Sequence, residues 1–378
     1  MWTWEAISVS KVKRLRGESW RNVRGHARKA QELTIERTMK AAMLYGPKDV
    51  RVEEVDIPKL DNSEALVKID SVGVCQSDIR AYLGIYKRQL FPPGRESYGL
   101  SGHEWSGQVV EVGELVKGLS VGDRVVPEII LSCGTCKFCS KGATNLCRNK
   151  TFINRGYAEY AKAPARLLLN IPEGVGYEEA AFAEPIAVCL HTNDIVSPRP
   201  GDNVLIVGAG PMGLIHTQIA KLSGANVIVS EVLQSRLDAA ERLGADATIN
   251  PSNQDLALKV REMTEGYGAD AVICATGSRK ALEDAVAAVG STGKVVLFGG
   301  TYPPEKIQID PNIIHYGEIC VTGSYDHLPV HMHRALQLLK SRKLQVTNLI
   351  SDRLGLEQLK EAFDIAMTSK ALKIFVKP

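Results

Sequence analysis

From residue 203 to about residue 300, short apolar runs alternate with stretches long enough for a helix. VLIVG, VIVS, ATI, AVICA and VVLFGG are the runs. Strands separated in this way cannot pair as hairpins, so they form a parallel, doubly wound sheet with helices on its faces. That pattern fixes the fold class as α/β. The first run ends in a glycine turn, GAGPMG, which sets Gly208, Gly210 and Gly213 at the GxGxxG spacing, with Pro211 and Met212 between the last two. A GxGxxG alone is weak evidence, but this one follows a strand and opens a helix, and Glu231 closes the next strand. Gly208 permits the tight turn, Gly210 lets a pyrophosphate approach the backbone, and Gly213 lets helix and strand pack closely. The phosphates then meet free N–H groups at the helix N-terminus. Glu231 can accept hydrogen bonds from both ribose hydroxyls and would repel a 2′-phosphate, which favours NAD over NADP. Arg236 stands nearby and could reach a phosphate or cover the adenine.

Between residues 40 and 130 the character is different. ALVKIDSVGVC, WSGQVVEVG and DRVVPEII are β-rich runs between glycine and proline turns, as in a rolled or barrel-like β domain. SPRPGDN, near residue 195, is a turn-rich joint. Beyond VTGSYDH come a helical segment, VHMHRALQLLKSRK, then an amphipathic helix and a terminal strand that returns to the first domain. The expected division is an extension over 1–38, a metal-binding domain over 39–195 and 325–378, and a nucleotide-binding domain over 196–324.

The extension carries nine Lys/Arg against four Asp/Glu and has no apolar core of a secretory signal. It reads as dispensable, or as a basic interaction arm. The other residues sum to about −2 of the net +3, which gives no general field for nucleic acid. No apolar run approaches the roughly eighteen residues of a membrane span. A cytoplasmic protein is expected.

Four cysteines, Cys133, Cys136, Cys139 and Cys147, fall within CGTCKFCSKGATNLC. Disulfides and iron–sulfur ligation compete with structural zinc for this spacing. The reducing cytosol disfavours the first and nothing nearby implies electron transfer, so zinc is the expectation. A closed thiolate shell has no open position and cannot bind substrate. Chemistry needs ligands that leave room. Cys75 in SVGVCQSDIR, His103 and Glu104 in GLSGHEWSG, and Glu184 in AFAEPIAVCLH supply a thiolate, an imidazole and one or two carboxylates. A catalytic zinc uses such a mixed set. Taken singly, each has an ordinary structural explanation.

The GVCxSD, GHE, four-cysteine, EP and GxGxxG elements, in this order, resemble the zinc-containing medium-chain alcohol dehydrogenases over essentially residues 40–378. The style is most similar to the sorbitol and polyol branch, with L-threonine and aminocyclitol dehydrogenases as neighbours. The resemblance implies a GroES-like β-rich catalytic domain beside a Rossmann domain, and two Zn2+ per chain. It implies hydride transfer between a small-molecule secondary alcohol and NAD, and a homo-oligomer, tetramer or dimer. It makes Cys75 and His103 zinc ligands and leaves the third position to Glu104 or Glu184. Ser77 would start a proton path from the substrate oxygen, and Asp78 would accept a hydrogen bond from His103. Several relatives place a relay histidine where this chain has Arg80, a permanent cation and a poor relay. The polar and aromatic segment over 82–100 reads either as the lining of the substrate mouth or as a simple surface loop. A zinc-independent reductase or a non-catalytic NAD-binding protein on the same scaffold are the rival readings, and Cys75 and His103 speak against both.

Overall fold

The computed structural model describes residues 38–85, 97–99, 101–368 and 371–378. The expected extension, apart from Thr38, and most of the segment read as a substrate mouth or a surface loop lie outside the described residues.

The alternating half forms a six-stranded parallel sheet. Its strands, in spatial order, are Ala247–Ile249, Asn226–Ser230, Asn203–Val207, Ala269–Cys274, Val289–Leu297 and Cys320–Gly323. Chain order reverses between Asn203–Val207 and Ala269–Cys274, the switch point where open α/β sheets bind ligands. Helices cover both faces, so the central strands are apolar throughout; Val204, Leu205 and Ile206 are fully buried.

The other half is a seven-stranded, largely antiparallel sheet built around Glu64–Gly73. This strand pairs with Glu104–Val112 along its length, with Tyr160–Pro164 at its start and with Lys373–Lys377 at its end. A hairpin of Thr38–Gly46 and Asp49–Asp56 lies beside it in sequence.

One apolar cluster joins the two sheets. Helix Ala183–Val196 sits in the stretch expected to belong to the β domain, yet its Ile186, Ala187 and Leu190 share a core with Ile215 and Ile219 of the parallel half. Met332, Ala335 and Leu339 of helix Pro329–Lys340 join the same core. Phe375 of the terminal strand enters it too, its ring 5.3 Å from that of Phe182. The halves therefore meet through packed side chains. Among the described residues, no helix is long and apolar enough to cross a membrane.

Candidate metal centres and cofactor loop

The four cysteines lie on two short 3-10 turns and the loop before them. Their sulfurs sit 3.6 Å (Cys136–Cys139), 3.8 Å (Cys136–Cys147) and 4.0 Å (Cys133–Cys139) apart. Disulfide sulfurs would be about 2.05 Å apart. Four sulfurs about 2.3 Å from a central ion, at tetrahedral corners, would be separated by about 3.8 Å. The electrostatics agree. The Thr135 N–H and hydroxyl, with the Cys136 N–H, hold the Cys133 thiol down at about 6, while burial and the adjoining sulfurs push Cys139 up to about 11. All four sulfurs could ionise together in this space only around a cation.

The second cluster is assembled from distant pieces. Strand Glu64–Gly73 ends two residues before Cys75, which caps helix Gln76–Tyr82 and gives its N–H to Asp78 Oδ2 at 3.0 Å. The antiparallel register sets Glu104 opposite Gly73, and His103 precedes it. One donor atom each from Cys75, His103 and Glu104 lies within 4.8 Å of the others. Glycine at 73 makes room for this pair, because a Cβ there would displace the Glu104 carboxylate and the Lys373 stem.

Buried neighbours hold this cluster. Asp78, with no exposure, accepts from Ser101 Oγ at 2.5 Å and from the Tyr157 hydroxyl at 2.8 Å. His103 Nδ1 lies 2.8 Å from the Ser101 carbonyl and 3.4 Å from Asp78 Oδ1. Ser101 is thus the nearer acceptor, where the sequence pointed to Asp78; Asp78 acts chiefly as the hub that fixes Ser101, Tyr157 and Cys75. Both arrangements leave Nε2 for the cluster. Burial works against charge on His103, but the Asp78 carboxylate outweighs it and raises the imidazole well above its usual value. Lys373, from the terminal strand, makes a buried ion pair with Glu104. Burial likewise opposes its charge, and Glu104 and Cys75 prevail, leaving its pKa raised.

Glu184, in the first turn of helix Ala183–Val196, groups instead with Asp326 and His327. Burial pushes its carboxyl up to about 7; Glu104 and Asp326 add to the rise, and His103 and His327 oppose it. Arg80 stacks its guanidinium 3.7 Å from the centroid of the Tyr302 ring, on the loop after a strand of the parallel sheet. Ser77 is half-buried in the first turn of the helix that Cys75 caps.

In the glycine loop, Gly208 takes φ +97°, which a side chain would strain. Gly210 caps helix Pro211–Leu222, with Pro211 in its first turn. A Cβ on Gly210 would meet nothing within 4 Å, whereas one on Gly213 would strike the Gly208 carbonyl. Met212 packs partly buried against the shared core. Glu231 accepts the N–H of Ala209 at 3.0 Å through Oε2, and those of Val232 at 2.8 Å and Leu233 at 3.2 Å through Oε1. Arg236 lies 3.7 Å from it.

Lys373, Tyr157, Ser101, Asp326 and His327 were not singled out from the sequence. Only Ser101, two residues before His103, carried a local signal.

The family model described as "Alcohol dehydrogenase GroES-like domain" matches residues 61–173, and that described as "Zinc-binding dehydrogenase" matches residues 211–341. The chain is 31% identical to sorbitol dehydrogenase of Bacillus subtilis, over 91% of this chain and 99% of that one. It is 36% identical to L-threonine 3-dehydrogenase of Pyrococcus furiosus, over 89% and 96%. Among solved structures, a zinc-binding dehydrogenase from Sinorhizobium meliloti with NADP bound superposes with a TM-score of 0.84 at 31% identity, over 91% of this chain and all of the other. The 2R,3R-butanediol dehydrogenase of Bacillus subtilis gives 0.81 at 30% identity, over 90% and 99%.

Proposed function

The chain belongs to the zinc-binding medium-chain alcohol dehydrogenase family, and on that premise we propose that it interconverts a secondary alcohol and its ketone, with NAD carrying the hydride. The substrate class is a polyol, sugar alcohol or cyclitol. The observation that carries this reading is the convergence of Cys75, His103 and Glu104, a thiolate–imidazole–carboxylate set short of a full shell.

Zinc in that set supplies Lewis acidity, which brings an alcohol's pKa towards neutrality. We take Glu104 as the third ligand, since it shares the cluster and Glu184 groups elsewhere. Ser101 and Asp78 hold His103 so that Nε2 faces the cluster. Ser77, two residues after Cys75 in the first turn of the helix, takes the proton that the alcohol loses while passing its own hydroxyl proton on. Arg80 stays charged and stacked on Tyr302, so protons leave through water rather than through a side chain at that position. Gly208, Gly210, Pro211, Met212 and Gly213 would hold the cofactor's pyrophosphate, and Glu231 its adenosine ribose. The Glu231 carboxylate disfavours a 2′-phosphate, and Arg236 beside it is already turned towards that carboxylate. The second zinc, in the four-cysteine turn, is structural and takes no part in the reaction. Assembly as a homo-oligomer in the cytoplasm completes the reading.

The test is a screen of sugar alcohols, cyclitols, short diols and L-threonine, with NAD+ and NADP+, following reduced cofactor by absorbance. Oxidation of a polyol with NAD+, abolished by chelator before the protein unfolds, is the expected result. Turnover that survives chelation would remove zinc from the reaction; oxidation of L-threonine alone would move the substrate class to amino alcohols.

A further inference from the structure

Beside Glu184 lies a buried group that the proposed reaction leaves unused. His327 has no exposure, and its Nε2 lies 3.1 Å and 3.3 Å from the two oxygens of Glu128. Glu128 is itself buried and fixed, accepting the Ile130 N–H at 3.0 Å. The other ring nitrogen, Nδ1, has no hydrogen-bond partner. It sits 3.2 Å from Asp326 Oδ1, an oxygen already engaged by the backbone N–H of His327 at 3.0 Å. Glu184, 8% exposed, brings a carboxylate oxygen within 4.8 Å of a ring nitrogen of His327 and an oxygen of Asp326.

An imidazole anchored at one nitrogen by a carboxylate, with the other nitrogen bare, is the arrangement that orients metal-binding histidines. Here the bare nitrogen stands beside the Asp326 carboxylate, in a ring that Glu184 also approaches. We propose that Glu184, Asp326 and His327 form a third metal site, which takes a divalent cation such as Mn2+ or Zn2+. A dication offsets two of the three carboxylates that meet here, Glu184, Asp326 and Glu128, and leaves His327 neutral. Lys150 does not fill the space; its ammonium sits 4.5 Å from the Tyr325 ring centroid and donates to the Asn145 carbonyl. The site shares no ligand with the four cysteines or with Cys75, His103 and Glu104. With two oxygens, one nitrogen and no thiolate it is harder than either, which suits Mn2+ as well as Zn2+. Three protein ligands leave positions for water or for a substrate oxygen. The rival occupant is a proton, making His327 an imidazolium between Glu128 and Asp326.

Manganese separates the two. Full-length protein holding its zinc is titrated with Mn2+, and the free ion is followed by electron paramagnetic resonance. One equivalent is expected to bind. Asp326→Asn and His327→Asn should abolish that binding, and Glu128→Gln, which spares the ligands, should weaken it about 10- to 100-fold. Cys75→Ala should bind Mn2+ as the unaltered protein does, which keeps this result separate from the fate of the proposed zinc reaction. Should His327→Asn fail to fold, Asp326→Asn decides, with zinc content and thermal midpoint as its controls. Absence of Mn2+ binding in the unaltered protein, unchanged binding in Asp326→Asn, or loss of binding in Cys75→Ala would each overturn the proposal.

Discussion

Cys133, Cys136, Cys139 and Cys147 come from fifteen consecutive residues, whereas Cys75, His103 and Glu104 span thirty, and Lys373, which pairs with Glu104, lies far beyond them. The first cluster is a local object. Its four sulfurs meet because short turns bring them round, and little else in the chain is needed. The second exists only where a strand end, a helix cap, an adjacent strand and a terminal strand coincide. On the proposed function, closed and local goes with scaffolding, and open and assembled with chemistry. An open site needs ligands that do not crowd the ion, and a sheet edge spaces them better than a single turn.

The largest expected effect that could break this comparison is on turnover. Cys75→Ala should lower kcat/KM by about 10^3-fold, corresponding to several kcal/mol of lost Lewis-acid stabilisation. It should also remove one zinc per chain and leave the thermal midpoint close to that of the unaltered protein. Cys136→Ala should do the reverse, with one zinc lost and a fall in midpoint that accounts for any fall in activity. Equal behaviour of the two variants in metal analysis and thermal melts would erase the distinction.

Lys373→Met comes next. It strands a buried Glu104 carboxylate and should cost about 3–5 kcal/mol of stability by chemical denaturation. Adding Glu104→Gln should recover much of that loss while leaving the enzyme inactive. Gly73→Ala is smaller, about 1–3 kcal/mol, from the forced displacement of Glu104 and Lys373. A silent Gly73→Ala would mean that the strand register around the cluster has slack. The smallest effect concerns the cofactor. Glu231→Ala should shift the ratio of KM for NAD+ to that for NADP+ by about tenfold, on the order of 1.4 kcal/mol, towards NADP+. An unchanged ratio would separate Glu231 from the ribose.

What the sequence disclosed follows the same division. The alternation after residue 203 and the glycine loop are short-range patterns, and they carry the parallel sheet almost unaided. Helix Ala183–Val196 was harder to place. It adjoins the β domain in sequence but buries Ile186, Ala187 and Leu190 against the parallel half, a choice made by tertiary packing. Lys373 is one lysine among many until the pairing of Phe375 with Gly73 carries it to Glu104. His327 gives no periodic or motif signal at all; its neighbours Glu128 and Glu184 arrive from other parts of the chain. The Ser101 carbonyl on His103 Nδ1 could not be foreseen from composition or spacing.

The pairing of Lys373–Lys377 with Glu64–Gly73 also sets a timetable during synthesis. All four cysteines of the sulfur-rich turn are present soon after residue 147 leaves the ribosome. The pocket around Cys75 must wait for a strand made about three hundred residues after its own, roughly 15 to 60 s later at ordinary elongation rates. Until then Glu104 lacks its lysine, and a nascent chain has every residue of one cluster but not the surroundings of the other.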